Sequence, residues 1–390
     1  MLYSTADLPV TIPAEIVDDF LAKLHYVSES LESFELPSER NSVRFRVIPG
    51  REEESPLIAS RIAEVAQKMC DAHRPTEAKV LVSRKGSGEY KLDPQPILER
   101  EGELRRFGRG RYGLGPKLVG LMTFFDRELT LAFELFSPEP HQFPSLIGAD
   151  VLESCKYLRS FPHALTLVSH LREDLAAVQE FARSAKWDGG QLVSDPSHLS
   201  SIECLLAPAV CFHCFAWLQN SKQERDRSFT AIGKCFRYES GNLEGLERLW
   251  DFTMRELIFV GTTDFVLGQR QKAIDESTKL LDEWGLGYEI RSATDPFFIE
   301  EYASATFQLA FDLKFEVRAN LPYKGKTLAV GSFNFHQDYF GRSLNITNEN
   351  GEPSSTGCVG FGLERLALAF LAQHGLDQRN WPDAIGKHLR

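Results

Sequence analysis

Residues Gly357–Gly375 read GCVGFGLERLALAFLAQHG. A cysteine sits against closely spaced glycines, and an unbroken apolar helix follows at once. Gly357, Gly360 and Gly362 permit close backbone approach, which reads as a turn opening into the helix. Leu363, Leu366, Ala367, Phe370 and Leu371 recur at helical spacing and form a packing stripe. Arg365 falls outside that stripe, in the first turn, where the N-terminal end of a helix favours an anion.

Upstream, TLAVGSFNFHQDYFG (Thr327–Gly341) reads as a strand entering a turn. TAIGKCFRYES (Thr230–Ser240) and RLWDFTMRELIFVG (Arg248–Gly261) read as a pair of strands. QRQKAIDESTKLLDEWG (Gln269–Gly285) reads as an amphipathic helix closed by Gly285. Hairpin-joined strands with interspersed helices predict an α+β domain on an antiparallel sheet, over residues 151–390. Residues 1–150 form a separate N-terminal α/β region of unassigned role. Within it a helix is predicted over about residues 13–34, a strand over Ala78–Lys85 and a loop over SGEYKLDPQP. The Pro-rich SPEPHQFPS (Ser137–Ser145) suggests a boundary.

The 390-residue chain is 43% hydrophobic and carries a net charge of −11. An acidic chain has no general attraction for a polyanion, so any such partner needs a local basic patch. RRFGRGRYGLGPK (Arg105–Lys117) is the densest basic stretch, readable as a docking patch for an acidic partner or as a solvated loop. The start MLYSTADLPVTIP lacks a cationic stretch followed by an apolar run, and no apolar run is long enough to span a bilayer. The seven cysteines are scattered, which suggests a reducing cytoplasm with free or metal-bound thiols. Cys211-Phe-His-Cys214 has no second C-x-x-C partner, so one cysteine reads as a ligand and the other as core.

Strand alternation places Cys235, Arg237 and Glu239 on one face, and Arg248, Trp250, Phe252, Met254, Glu256 and Ile258 on one face of the next strand. A guanidinium for phosphate, a carboxylate for an exocyclic amine and a flat ring for stacking make a nucleotide floor. A solvated charged hairpin is the other reading of the same pattern.

FRYESGNLEGLERLWDFTMRE (Phe236–Glu256) resembles motif 2 of the class II aminoacyl-tRNA synthetases, and GCVGFGLERLALAF (Gly357–Phe370) resembles their motif 3. YLRSFPH (Tyr157–His163), ATDPFF (Ala293–Phe298) and SFNFHQDYFG (Ser332–Gly341) bring the likeness to the atypical seryl-tRNA synthetases of methanogens. They bring it closer still to the truncated amino acid:[carrier protein] ligases. The resemblance implies a class II synthetase-like antiparallel sheet flanked by helices. It implies that Arg237 holds the α-phosphate of ATP, that Glu239 reads the adenine amino group and that Phe252 stacks on the ring. Arg248 and Arg365 would grip the outer phosphates, with Arg237 and Arg365 the catalytic pair. Glu316, with Ser332, would bind Mg²⁺. Cys211, Glu256 and Cys358 would hold one Zn²⁺ per subunit, Glu256 and Asp295 would meet the amino acid, and Cys214 would have no metallic role.

The activity so implied is formation of an aminoacyl-adenylate from glycine or alanine, then transfer to the phosphopantetheine thiol of a carrier protein. A homodimer built around Tyr157–Arg172 is expected, in the cytoplasm. Neither tRNA nor a membrane is expected as a partner. Charging of tRNA by an atypical seryl-type enzyme and a non-catalytic synthetase paralogue are the rival readings.

Overall fold

The computed structural model describes residues 3–75, 78–88, 90–243 and 245–387; Glu89 of the loop after the 78–85 strand, and Glu244 of the motif 2 stretch, lie outside them. Strands β1 (Ser4–Asp7), β2 (Leu31–Glu35) and β3 (Ser42–Val47) form a small antiparallel sheet in the order β1-β3-β2. Helices α1 (Val17–Leu24) and α2 (Ser55–Ala72) cover it, with Phe20, Leu24, Val43, Phe45, Ile58 and Ile62 in the shared core. The long helix predicted over 13–34 is therefore a two-turn helix followed by a strand. Leu31–Glu35 finds hydrogen-bonding partners along β3, and that pairing overrides the local helical pattern.

The next elements are β4 (Val80–Arg84), α3 (Gln95–Arg100), β5 (Leu104–Gly108), β6 (Arg111–Leu114), α4 (Pro116–Phe133) and β7 (Glu139–Pro140). The basic stretch is thus a two-stranded hairpin, β5–β6, rather than a loop. The Pro-rich stretch carries β7, which joins the main sheet.

That sheet is completed by β8 (Arg227–Phe236), β9 (Asp251–Gly261), β10 (Tyr288–Ser292), β11 (Lys314–Leu321), β12 (Lys326–Gln337) and β13 (Ser355–Gly362). Its eight strands run in the order β4-β10-β11-β12-β13-β9-β8-β7, antiparallel throughout except for the β7–β8 edge pair. Strands from both sides of residue 150 share it.

Alternation decides its two faces. Leu257, Val359, Phe333 and Phe315 are successive cross-strand partners and all buried. They join one apolar core with α4, α6 (Thr263–Glu283) and α7 (Leu363–His374). The residues one step along point the other way, and apart from Ile258 they are polar, thiol-bearing or glycine. α6 ends as expected: Gly285 takes φ +66°, a left-handed conformation that glycine reaches without a Cβ penalty.

The glycines of Gly357–Gly362 lie along β13 and make no turn. None of the three has a positive φ. At Gly357 the small size serves packing between strands: a Cβ there would lie 2.8 Å from the carbonyl oxygen of Asn334 and 2.7 Å from Val266 Cγ1, whereas one on Gly362 would meet nothing within 4 Å. α7 starts at Leu363 as read, but it is buried on all sides except at Arg365. Among the described residues no helix is long and apolar enough to cross a membrane.

Candidate active site

The polar face of the sheet carries two cross-strand rows. In one, Ile258 on β9, Cys358 on β13, Asn334 on β12 and Lys314 on β11 are partners in turn. In the other, Glu256, Gly360, Ser332 and Glu316 are partners. Gly360 leaves space beside Glu256, since a Cβ there would lie 3.5 Å from Glu256 Cγ and 2.7 Å from Met254 Cε. Above these rows opens a cavity of about 720 Å³, and every side chain assigned a site role from the sequence lines it.

At one end of the cavity Cys211, Glu256 and Cys358 meet, with one ligand atom from each lying within 4.8 Å of the others. All three are buried. Cys211 opens the short helix α5 (Cys211–Trp217), whose first N–H groups face Glu256. Val210 N donates to one Glu256 oxygen at 3.0 Å and Cys211 N to the other at 3.1 Å. Burial pushes the Glu256 carboxyl up to about 8, the neighbouring Cys358 adds to the rise, and the Val210 N–H opposes it. A hydrogen bond from Cys211 holds Cys358 well below the ordinary thiol value, and the same bond raises Cys211. Asn334 Nδ2 also donates to Cys358 Sγ, at 3.4 Å.

Among the described residues no lysine or arginine forms an ion pair with Glu256. A buried carboxylate beside two thiols, oriented by backbone and amide donors, is short of a cation. Two sulfurs and one oxygen suit Zn²⁺ with a fourth position left open. Cys214, one turn on, packs with Phe215 and Leu218 in the adjacent core and takes no part.

The other end is built by the connection between β8 and β9. β8 stops at Phe236 and β9 starts at Asp251. Arg237, Glu239, Arg248 and Trp250 therefore belong to that connection and not to alternating strand faces, as the sequence reading had placed them. The backbone departs from the strand in a 3₁₀ turn at Ser240–Asn242, with Ser240 in the left-handed region at φ 46°. Phe252 and Met254 do lie on β9, on the cavity side with Glu256.

Arg237 and Arg365 are fixed by carbonyls and keep donors in reserve. Arg237 Nε donates to the Pro208 carbonyl at 3.0 Å, and its guanidinium lies 5.4 Å over the Phe252 ring. Arg365 Nε donates to Glu247 O at 2.6 Å and Nη1 to Ala329 O at 3.3 Å. Glu239 and Arg248 form an ion pair with each other. Burial alone would raise the Glu239 carboxyl, but Arg248 and then Arg365 hold it below the usual range.

Glu316 and Ser332 face each other across the β11–β12 ladder. The Glu316 carboxylate lies between Lys314 Nζ at 3.2 Å and Arg318 Nη1 at 3.0 Å, so each oxygen already meets a cation. Asp295 is bonded to Lys314 at 2.6 Å and accepts from Gln308 Nε2 at 2.7 Å. Burial would raise its pKa, and Lys314 outweighs that to hold it low.

Several residues here were not foreseen. Asn334 follows Ser332 by two along β12, and Lys314 precedes Glu316 by two along β11, so the period-two rule could have found both. Glu364 had no such signal. Its carboxylate accepts from Thr253 N at 2.8 Å and Thr253 Oγ1 at 2.8 Å, and so ties the start of α7 to the start of β9.

Residues 203–374 match the family model of the class II tRNA synthetase core domain (G, H, P, S and T). An amino acid–[acyl-carrier-protein] ligase of Bradyrhizobium diazoefficiens is 34% identical over 254 residues, covering 63% of this chain and 73% of that protein. A type-2 serine–tRNA ligase of Methanococcus aeolicus is 27% identical over 313 residues, 76% of this chain and 59% of that one. Among solved structures, M. kandleri SerRS in complex with A. aeolicus tRNASec superposes with a TM-score of 0.73 at 20% identity, over 99% of this chain and 77% of that one.

Proposed function

This chain belongs to the amino acid–[acyl-carrier-protein] ligase family, built on the class II synthetase core, and from that membership we propose that it activates a small amino acid, glycine or alanine, with ATP and passes it to the phosphopantetheine thiol of a carrier protein. The observation that carries the reading is the meeting, in one cavity, of a buried Cys-Glu-Cys cluster with three separately anchored arginines. The chemistry divides along the cavity. Cys211, Glu256 and Cys358 would hold Zn²⁺, which when bound offers an open Lewis-acid position for an uncharged amino group. Asp295 lies beyond, and the rings of Tyr157, Phe161, Phe212 and Phe297 crowd that part of the wall.

At the other end Glu239 would accept from the adenine amino group and Phe252 would stack on the ring. For both, the Glu239–Arg248 pair opens and Arg248 turns to the outer phosphates. The substrate carboxylate oxygen attacks the α-phosphorus. The bond to the bridging oxygen breaks and pyrophosphate leaves with its charge. No proton moves in that step, so catalysis rests on alignment and on compensating negative charge. Arg237 serves the α-phosphate, and Arg248 and Arg365 the departing group. Glu316 and Ser332 would be the residues to meet Mg²⁺ arriving with ATP, but Glu316 is already neutralised by Lys314 and Arg318. In the second half-reaction a thiolate attacks the acyl carbon, the acyl–phosphate bond breaks, and AMP departs.

The test is single-turnover transfer from preformed adenylate to a phosphopantetheinylated carrier, read as thioester by mass spectrometry. Thioester formation is the expected outcome. Transfer of serine to tRNA without any carrier product would instead establish the seryl-type reading, which the likeness to serine–tRNA ligases favours. A homodimer is expected, with a sedimentation mass twice that of one chain.

A further inference from the structure

The N-terminal layer reaches into the cavity. Ala22, Lys23 and Tyr26, at the end of α1 and just beyond it, line its wall beside Glu239 and Arg248. α1 packs Phe20 and Leu24 into its own core, and Lys23 turns instead towards the cavity. The fit is specific. Asn242 Nδ2 donates to Ala22 O at 3.3 Å. The His25 ring fills the space over Gly241, where a Cβ would sit 2.0 Å from His25 Nδ1. The connection that carries Glu239 and Arg248 is thus held against α1.

Lys23 is 4% exposed, and Nζ makes one hydrogen bond, to the Pro296 carbonyl at 3.0 Å. An ammonium has three donors. Among the described residues no carboxylate lies within ion-pair distance of it. A buried cation without an anion is costly, and an apolar side chain of the same volume would be cheaper unless a ligand completes the site. Burial lowers its pKa to about 8 against the opposing pull of Asp19 and Glu239, with Arg248 adding to the fall. Lys23 in turn lowers the nearby His163, itself already depressed by burial. Of the charges that act on Lys23, Asp19 belongs to its own helix and Glu239 and Arg248 to the nucleotide end, while Asp295 and Glu256 are not among them.

We infer that Lys23 is a further phosphate-binding residue of the ATP site, so that the N-terminal layer supplies part of the nucleotide pocket. This rests on the adenylate-forming reading above. Two cations, Lys23 and Arg248, then serve the outer phosphates, one carried by the N-terminal layer and one by the β8–β9 connection. Lys23 also ties the nucleotide end, through Pro296, to the segment that carries Asp295.

The experiment measures ATP and adenosine binding by calorimetry to the zinc-loaded full-length protein, the Lys23→Met variant and the Lys23→Arg variant. Lys23→Met is expected to weaken ATP by about 10-fold or more, as loss of one charge-assisted bond does, and adenosine by less than about twofold. Lys23→Arg should restore most of the ATP affinity. It should also remove the fall in wild-type ATP affinity as pH rises through about 8, because lysine is charged only below its pKa and arginine stays charged. ATP affinity unchanged in Lys23→Met, or ATP and adenosine weakened equally, overturns the assignment. Lys23→Gln provides the same comparison if Met disturbs α1. A wild-type protein that binds neither ATP nor adenosine overturns the adenylate-forming reading itself and this inference with it.

Discussion

At the residue scale the site is organised by side chains whose anchors leave one function free. Arg237 spends Nε on a carbonyl, and on the function proposed above its terminal nitrogens would serve phosphate. Arg237→Ala should lower ATP–pyrophosphate exchange by at least about 100-fold, the order seen when one pre-aimed donor is lost, while circular dichroism stays that of the wild type. Unaltered exchange would remove Arg237 from its role. Cys358 is a different case, because its thiol is tuned by Cys211, Asn334 and His336 before any metal is considered. Cys358→Ser keeps the volume and loses the soft ligand, so bound zinc and amino acid activation should fall together. Activation that survives zinc loss, measured by atomic absorption on the same sample, would separate the metal from the chemistry. Glu256 and Cys358 lie within the quoted motifs but Cys211 lies in none of them, so the grouping of the three came from the family resemblance as a whole. Spacing alone offered a lone C-x-x-C of which one half, Cys214, is core packing.

At the element scale the central fact is a sheet with one apolar and one polar face, set by alternation along β9, β11, β12 and β13. Helices α6 and α7 were legible from their apolar spacing, and the start of α7 at Leu363 was read correctly. The glycines of β13 were misread because a run of glycines signals a turn when seen alone. In the sheet Gly357 instead admits the neighbouring strand. Gly357→Ala forces a Cβ against the Asn334 carbonyl and should destabilise the protein by about 1–3 kcal/mol, visible as a lower midpoint in urea. Glu364→Ala leaves the Thr253 N–H without its carboxylate and should cost about 1–3 kcal/mol as well. A midpoint equal to wild type in either variant would show that the strand or the helix start relaxes freely. The placement of Arg237 and Glu239 beyond the end of β8 could not be read from alternation, since nothing local marks where the ladder stops.

At the scale of the whole molecule the chain closes one cavity with distant segments, from α1 at the N-terminus to Arg365 in α7. Separations of more than two hundred residues, such as that of Lys23 from Glu239, leave no trace in periodicity or composition, which is why the N-terminal layer's share in the site was invisible in the sequence. The basic stretch is the paired hairpin β5–β6, and its turn is tied to the site: Gly110 O accepts from Trp250 N at 2.9 Å. The Cys-Glu-Cys cluster joins α5, β9 and β13, so a bound ion links three segments. Its removal should lower thermal stability by mass action. A chelator titration followed by differential scanning calorimetry should show a lower melting temperature that added Zn²⁺ restores; an unchanged melting temperature with zinc demonstrably removed would deny the cluster that structural part.

The most direct measurement is ATP–pyrophosphate exchange by zinc-replete protein across the standard amino acids. Exchange stimulated by glycine or alanine, and lost in Cys358→Ser, is the expected result. Absence of exchange with every amino acid, in protein shown to hold one zinc per chain, would contradict the assignment of this cavity to amino acid activation.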